Sequence, residues 1–140
     1  MKGGAYLRFD ILSLDLFISF SEWSMTLSQN LPVYRSSYDF LLEIFRATKS
    51  LEREYKYTVG EKIKKETLAM MIEIQRANSA KSTRVERIVR AREHLEIIRL
   101  LLRILKDIGQ FGLKRFVYLS QKIENIGRQL SGWLKYSQRA

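Results

Sequence analysis

Apolar side chains recur at alternating intervals of three and four residues in four separate stretches of this sequence. This spacing places side chains on one face of an α-helix, so each stretch can pack one face against the others. Short links separate the stretches, which is typical of helices that lie side by side and antiparallel. The predicted core-facing series are Tyr34, Tyr38, Leu41, Phe45 and Thr48; Ile63, Thr67, Met70, Ile74 and Ala77; Ile88, Ala91, Leu95, Ile98, Leu102 and Leu105; and Phe116, Leu119, Ile123, Ile126, Leu130 and Trp133.

The four series predict an all-α protein, an antiparallel up-down-up-down four-helix bundle formed by residues 31–140. The chain of 140 residues has the size of one domain, and its one proline and seven glycines suit helices better than a sheet. About 20 apolar side chains, each worth roughly 1.5–3 kcal/mol on burial, supply a core without disulfides. Most of that gross stabilisation is offset by chain entropy.

Cap and turn residues predict where the helices begin and end. Pro32 suits the first turn of a helix, because its missing N–H has no helical partner there. Thr58 and Glu61 have the spacing of a capping box, and Ser82 or Thr83 can cap the third helix. We expect breaks at Lys49–Ser50, followed by a charged and aromatic link over 51–57, at Asn78–Ser79 and from Gly109 to Gly112.

Residues 1–30 differ from the rest of the chain and are predicted to be an N-terminal extension. Their apolar run at 9–20 contains two aspartates, is too short to span a bilayer and lacks the pattern of a signal peptide. We therefore expect no membrane role and a cytoplasmic location. Met25 directly precedes the regular pattern, so residues 1–24 either precede the true start or form an appended, poorly packed helix or strand.

The sequence lacks the residue types that most catalytic and metal sites need. It has no cysteine and a single histidine, His94, and the residue three positions earlier is Ala91 rather than the glutamate of a di-iron motif. It also has no glycine-rich phosphate loop. Glu93 and Glu96 flank His94, which favours a surface or boundary position over a catalytic base. The sequence therefore predicts a protein that is not an enzyme and that uses no metal and no cofactor.

The strongest functional signal is an excess of positive charge. The net charge is +10, and residues 1–30 hold two of the 25 basic and three of the 15 acidic residues, which leaves 23 and 12, or +11, for residues 31–140. Such an excess favours a polyanionic partner, with nucleic acid ahead of a membrane surface or an acidic protein. The predicted binding residues on the second and third long helices are Lys62, Lys64, Lys65, Arg76, Arg84, Arg87, Arg90 and Arg92.

The alternative interpretation of this cluster is a solvated helix surface whose charges are compensated by glutamates. For the stripe of Arg99, Arg103 and Lys106, the binding and the solvated interpretations are equally favoured. No base-reading motif accompanies the basic residues, so any nucleic-acid contact should be largely independent of sequence and strongly sensitive to salt.

Aromatic residues near the helix ends predict packing or subunit contacts more than base stacking. Gly127 and Gly132 lie inside the fourth helix, where glycine costs about 1 kcal/mol relative to alanine, so they indicate close approach of another helix from this chain or a neighbour. The aromatic residues are Tyr34, Tyr38, Tyr55, Tyr57, Trp133 and Tyr136.

Several separated blocks of the sequence, in the same order, resemble the Avd family, the accessory variability determinants of diversity-generating retroelements. The resemblance runs from about residue 31 to residue 135. The blocks are 31–42 (LPVYxxxYDxLL), 55–66 (YKYTVGEKIKKE), 76–78 (RAN), 91–93 (ARE), 102–107 (LRILKD) and 129–133 (QLSGW). Avd proteins are related to four-helix-bundle proteins encoded in 23S rRNA intervening sequences.

The resemblance implies a four-helix protomer that assembles into a homopentameric, positively charged ring. It further implies binding to the reverse transcriptase of the retroelement, association with its template RNA and with DNA, and support of mutagenic retrohoming. The basic residues within the matching blocks are Lys56, Lys62, Lys64, Lys65, Arg76, Arg92, Arg103 and Lys106. We expect Lys62, Lys65, Arg76, Arg84 and Arg87 to touch the polymerase or its RNA.

Two competing functions follow from the same residues. One is a bundle of the 23S rRNA intervening-sequence type, with an RNA-associated role or no settled partner. The other is a structural adaptor whose positive charge meets an acidic protein. The neighbouring genes would distinguish a protein of the 23S rRNA intervening-sequence type from a retroelement protein. Weak RNA binding together with tight protein binding would identify a structural adaptor.

Overall fold

A computed structural model describes residues 31–139, and this part of the chain is all-helical, with no strand. Four of its helices are long, as predicted. The helices are α1 (Pro32–Thr48), α2 (Arg53–Lys56), α3 (Val59–Ser79), α4 (Arg84–Asp107) and α5 (Leu113–Arg139), with a short 3-10 turn at Lys81–Thr83. The predicted link at 51–57 thus contains the four-residue helix α2.

Each long helix packs against two others. α3 and α4 form the most extensive pair, α5 packs on α4, and α1 packs on both α3 and α5. Between α4 and α5, three side-chain pairs follow one another in opposite chain order: Lys106 over Phe116, Arg99 with Glu124, and Arg84 over Trp133. This order is compatible with the predicted antiparallel arrangement.

The predicted core series of α3 and α4 are confirmed. All five residues of the first series and all six of the second are buried, and the α5 series is buried at Leu119, Ile123, Ile126 and Leu130. The two ends of that series, Phe116 and Trp133, are only partly buried against the core. Alternating spacing therefore identifies the inward faces of three helices.

The predicted core series of α1 is wrong by one residue. The buried side chains are Val33, Ser37, Phe40, Ile44 and Ala47, together with Thr48, whereas Tyr38 and Phe45 are 49% and 48% exposed. The predicted and the observed series have the same spacing. The observed series includes the buried Ser37, so it is the less apolar of the two in the sequence. Tyrosines also favour positions where their hydroxyl reaches water, which keeps Tyr38 at the surface.

The predicted capping box is also wrong. Thr58 occupies the position before α3, but its hydroxyl donates to the Glu54 carbonyl at 2.7 Å and makes no cap bond. Glu61 instead pairs with Lys64 at 2.8 Å. Thr83 likewise precedes α4 and makes no side-chain cap hydrogen bond. Neither threonine therefore caps its helix.

The predicted breaks lie where the helices end. α1 ends at Thr48 and α3 at Ser79, and α4 and α5 are separated by 108–112. Gly109 has a φ of +79°, the left-handed conformation that suits glycine. The N–H groups of Gln110 and Phe111 both donate to the Leu105 carbonyl, at 2.9 and 3.0 Å, which closes the end of α4.

The predicted N-terminal extension, residues 1–30, lies outside the described residues, and so does the question of a start at Met25. Among the helices in 31–139, none combines the length and the apolar content that crossing a membrane requires.

Candidate nucleic-acid interface

The eight predicted binding residues lie on the paired helices α3 and α4. Lys62, Lys64, Lys65 and Arg76 belong to α3, and Arg84, Arg87, Arg90 and Arg92 belong to α4. Nearness on two adjacent helices does not make the eight a single surface, because most of them have partners inside the fold.

Lys62 is engaged by a carboxylate at the α3–α4 interface. Its Nζ lies 2.8 Å from Glu66 Oε2, and Nδ1 of His94 lies 2.6 Å from Glu66 Oε1. Burial raises the pKa of Glu66, but the hydrogen bonds from Lys62 and His94 outweigh it and hold that pKa below its ordinary value of 4.5. The predicted boundary position of His94 is confirmed, although its partner is Glu66 rather than the flanking glutamates.

Arg84 and Arg87 tie α4 to α3. Nε of Arg84 donates to the Ala77 carbonyl at 2.8 Å, and its guanidinium lies 6.0 Å from the Trp133 ring centroid. Arg87 Nη1 donates to Glu73 Oε1 at 3.2 Å. Arg84 thus satisfies a carbonyl at the end of α3 that has no helical partner. Both arginines hold the helix pair together.

Lys64 and Arg90 have partners on their own helices. Lys64 lies 2.8 Å from Glu61 and 5.2 Å from the Phe45 ring centroid, and Arg90 lies 2.6 Å from Glu86. The hydrogen bond and the charge of Lys64 lower the pKa of the Glu61 carboxyl. For these residues the compensated-surface interpretation describes the structure better than the binding one.

Lys65, Arg76 and Arg92 are exposed and form no ion pair within residues 31–139. Lys65 and Arg76 are eleven residues apart, about three turns of helix, so they share one face of α3. Arg92 lies elsewhere, in a groove between α4 and α5. Two of the eight predicted residues are therefore unpaired cations on one face of α3, about three turns apart, and the third lies on a different surface.

The groove between α4 and α5 is a basic site that the sequence interpretation missed. It encloses about 390 Å³. Its charged lining consists of Arg92, Glu96, Arg99, Glu124, Arg128 and Lys135. Arg128 and Lys135 are seven residues apart on α5, which places them on one face on either side of Gly132. The spacing of Arg128 and Lys135 is visible in the sequence, but the apolar series of α5 predicts only the inward face of this helix.

The stripe of Arg99, Arg103 and Lys106 is compensated. Arg99 donates to Glu124 at 2.6 and 2.9 Å and to Glu96 on its own helix. The hydrogen bond to Glu124 contributes most to raising the pKa of Arg99. Arg103 and Lys106 lie 3.6 and 3.5 Å from Asp107. Arg99 and Lys106 belong to the α4–α5 contact, whereas Arg103 is exposed and pairs with Asp107 of its own helix.

The two glycines of α5 have different surroundings. A Cβ on Gly127 would lie 3.2 Å from Arg99 Nη2 and 3.6 Å from Leu95, so the predicted close approach of a second helix is confirmed there. A Cβ on Gly132 would meet nothing within 4 Å. The floor of the groove beside Gly132 is therefore open.

The aromatic residues divide between packing and exposure. Tyr34 and Trp133 pack against the core, as predicted for bundle-end residues. Tyr57 and Tyr136 are 65% and 72% exposed. Tyr136 also lines a second cavity of about 250 Å³ with Lys81 and Arg84. Exposed aromatic rings beside cations are the elements from which stacking sites for bases are built.

Across residues 31–139, histidine and acidic side chains form no group of three that could hold a metal ion. The site features that remain are free cations on α3, the basic groove and the exposed tyrosines. The fold and these features together describe an all-helical protein with a basic surface. The model of the bAvd-like family matches residues 26–137, and the chain belongs to this family. A comparison with curated proteins found no match.

Proposed function

We propose that this protein is a non-catalytic accessory protein of a diversity-generating retroelement. It binds the reverse transcriptase of the element together with template RNA and DNA, and it thereby supports mutagenic retrohoming. The observation that carries this proposal is the match of the bAvd-like family over residues 26–137. The excess of positive charge, +10 for the whole chain, supports a polyanionic partner.

The mechanism is that of a scaffold. In the cytoplasm, up-down-up-down protomers assemble into a homopentamer, and this ring holds the reverse transcriptase and its structured RNA on one particle. Joining two binding events raises the effective concentration of each partner near the other without any new catalytic group. Phosphate contacts made by lysine and arginine would position the RNA and leave its sequence unread.

The cations that make these contacts are the ones that the fold leaves free. On α3, Lys65 and Arg76 share an exposed face and have no ion pair within the described helices. Lys62, Arg84 and Arg87 serve the α3–α4 interface, so their removal would weaken the fold before it tested binding. A charge-removal variant should therefore be restricted to free cations.

The test is co-purification with the reverse transcriptase encoded beside this protein, with and without its template RNA, across a salt series. The wild type is compared with Lys65→Gln/Arg76→Gln and with a control, Lys49→Gln/Lys114→Gln, that removes two exposed cations elsewhere. We expect a complex in the wild type and the control that salt weakens, and a weaker complex in the α3 variant.

Failure to form any complex with the reverse transcriptase would overturn the proposal. In that case, binding to ribosomal RNA would point to the 23S rRNA intervening-sequence type. Tight protein binding that neither salt nor the α3 variant changes would instead indicate an adaptor function with a different surface.

A further inference from the structure

We propose that the groove between α4 and α5, together with Tyr136 at its end, binds single-stranded nucleic acid. This inference rests on the proposed function, because it assigns the RNA association of that function to a particular surface. It also adds a preference for unpaired strands. The surface lies on α4 and α5, separate from Lys65 and Arg76 on α3, and of the eight residues predicted from the sequence it includes Arg92.

The groove carries more positive than negative charge, and its free charges are the positive ones. Arg92 from α4 and Arg128 and Lys135 from α5 are exposed and form no ion pair within 31–139. The two carboxylates of the lining, Glu96 and Glu124, are both engaged by Arg99. Three cations therefore remain available to phosphate oxygens, and two of them are guanidinium groups that can bind phosphate bidentately.

Arg99 fixes the shape of this groove. Its bonds to Glu124 join α4 to α5 at the groove. Gly127 allows the helices to come close at this point, since a Cβ there would crowd Arg99 Nη2 at 3.2 Å. Five residues further along α5, a Cβ on Gly132 would meet nothing within 4 Å, so the space there is open. A phosphodiester chain has room to lie between Arg92 on one side and Lys135 on the other.

Tyr136 supplies a surface on which a base can stack. It is 72% exposed and directly follows Lys135, the last residue of the groove lining, and it lines the neighbouring cavity rather than the groove itself. Lys81 and Arg84 line the cavity on its other side. Stacking on an exposed ring requires a base with a free face, which a single strand offers and the interior of a duplex does not. The geometry therefore favours single strands.

The experiment measures binding of a fluorescently labelled single-stranded RNA and of its duplex across a salt series. The groove variant is Arg92→Gln/Arg128→Gln/Lys135→Gln, and the matched control is Lys49→Gln/Arg53→Gln/Lys114→Gln, which removes three exposed cations at the other end of the bundle. We expect the groove variant to bind single strands at least about tenfold more weakly and to lower the salt slope by about two, with little change in the control.

Two further variants separate shape and stacking from charge. Gly132→Leu adds a side chain at an open position of the groove lining, where a Cβ would meet nothing within 4 Å, and it removes no charge. Tyr136→Ala should weaken single-strand binding at least about fivefold, while Tyr136→Trp retains it. Circular dichroism and thermal unfolding confirm that each variant is folded.

Unchanged single-strand affinity in the groove variant and in Gly132→Leu would overturn this inference, and the reverse-transcriptase complex would decide the proposed function separately. Equal affinity for duplex and single strand in the wild type would overturn the single-strand preference. A change in oligomer size in Gly132→Leu with unchanged RNA binding would show that the groove holds a second copy of the chain, which also overturns the inference.

Discussion

The carboxylate of Glu66 on α3 lies 2.6 Å from Nδ1 of His94 on α4, and its other oxygen lies 2.8 Å from Lys62. Glu66 is almost fully buried, at 8% exposure. A buried carboxylate with two charged or polar partners stabilises the helix pair only while it is ionised, so this contact makes the stability of the bundle depend on pH.

Glu66→Gln should remove part of that dependence. Because folding lowers the pKa of Glu66 below 4.5, its contribution is fully present above that value and is lost as the pH falls through the folded pKa. We expect Glu66→Gln to cost about 1–3 kcal/mol of unfolding free energy near pH 7 and to flatten the loss of stability in acid. Urea unfolding from about pH 7 to about pH 3 measures both effects.

Glu93→Gln, at an exposed position on α4, is the control for removing one carboxylate from the same helix pair. An acid profile for Glu66→Gln that matches the wild type would show that Glu66 does not carry the dependence.

Arg84→Gln should destabilise the fold, whereas Lys65→Gln should not. Arg84 binds the Ala77 carbonyl at 2.8 Å and is only partly exposed, so its loss leaves the end of α3 with an unmet acceptor. We expect a cost of about 1–2 kcal/mol for Arg84→Gln and less than about 0.5 kcal/mol for Lys65→Gln. Thermal and urea unfolding of both variants checks this, and equal effects would contradict the assignment of Arg84 to the fold.

Alanine substitutions at two adjacent serines of α1 should differ in their effect on the free energy of unfolding. The hydroxyl of Ser37 is buried without a hydrogen-bond partner in the described structure, while Ser36 accepts a hydrogen bond from Gln129 at 3.0 Å. Both changes gain helix propensity, so their difference isolates the hydroxyl. We expect Ser37→Ala to be more stable than Ser36→Ala by about 1 kcal/mol. Urea unfolding measures the difference, and a less stable Ser37→Ala would indicate that this hydroxyl has a partner.

Alanine substitutions at the two glycines of α5 should also differ in their effect on stability. Gly132→Ala should raise the unfolding free energy by about 1 kcal/mol, because alanine has the higher helix propensity and its Cβ has open space. Gly127→Ala should gain less or lose stability, because its Cβ would push Arg99 away from Glu124. Equal gains in melting experiments would show that Arg99 gives way without cost.

The sequence predicted the inward faces of α3, α4 and α5 because each has one dominant apolar series. It failed on α1 because two series of equal spacing lie one residue apart, and the choice between them depends on which neighbours the helix meets. Partnerships such as Glu66 with His94, or Arg87 with Glu73, join residues far apart in the chain. They follow from the register between two helices, which no local pattern encodes.

The candidate site was predicted less well for the same reason. Lys65, Arg76 and Arg92 are free, but the sequence offers no means of telling them from Arg87, whose carboxylate partner on α3 becomes visible only when the helices pack. Arg128 and Lys135 were overlooked because their importance depends on Arg92 facing them across the groove.

The ion pairs of α3 and α4 affect how strongly the nucleic-acid affinity of this protein should depend on salt concentration. Lys62, Lys64, Arg87 and Arg90 each already have a glutamate as counterion within the chain. A phosphate that bound one of them would have to displace that glutamate, so fewer cations would be released from the nucleic acid than the 25 basic residues imply. The slope of affinity against salt concentration should therefore count the free cations of the surface rather than the basic residues of the sequence.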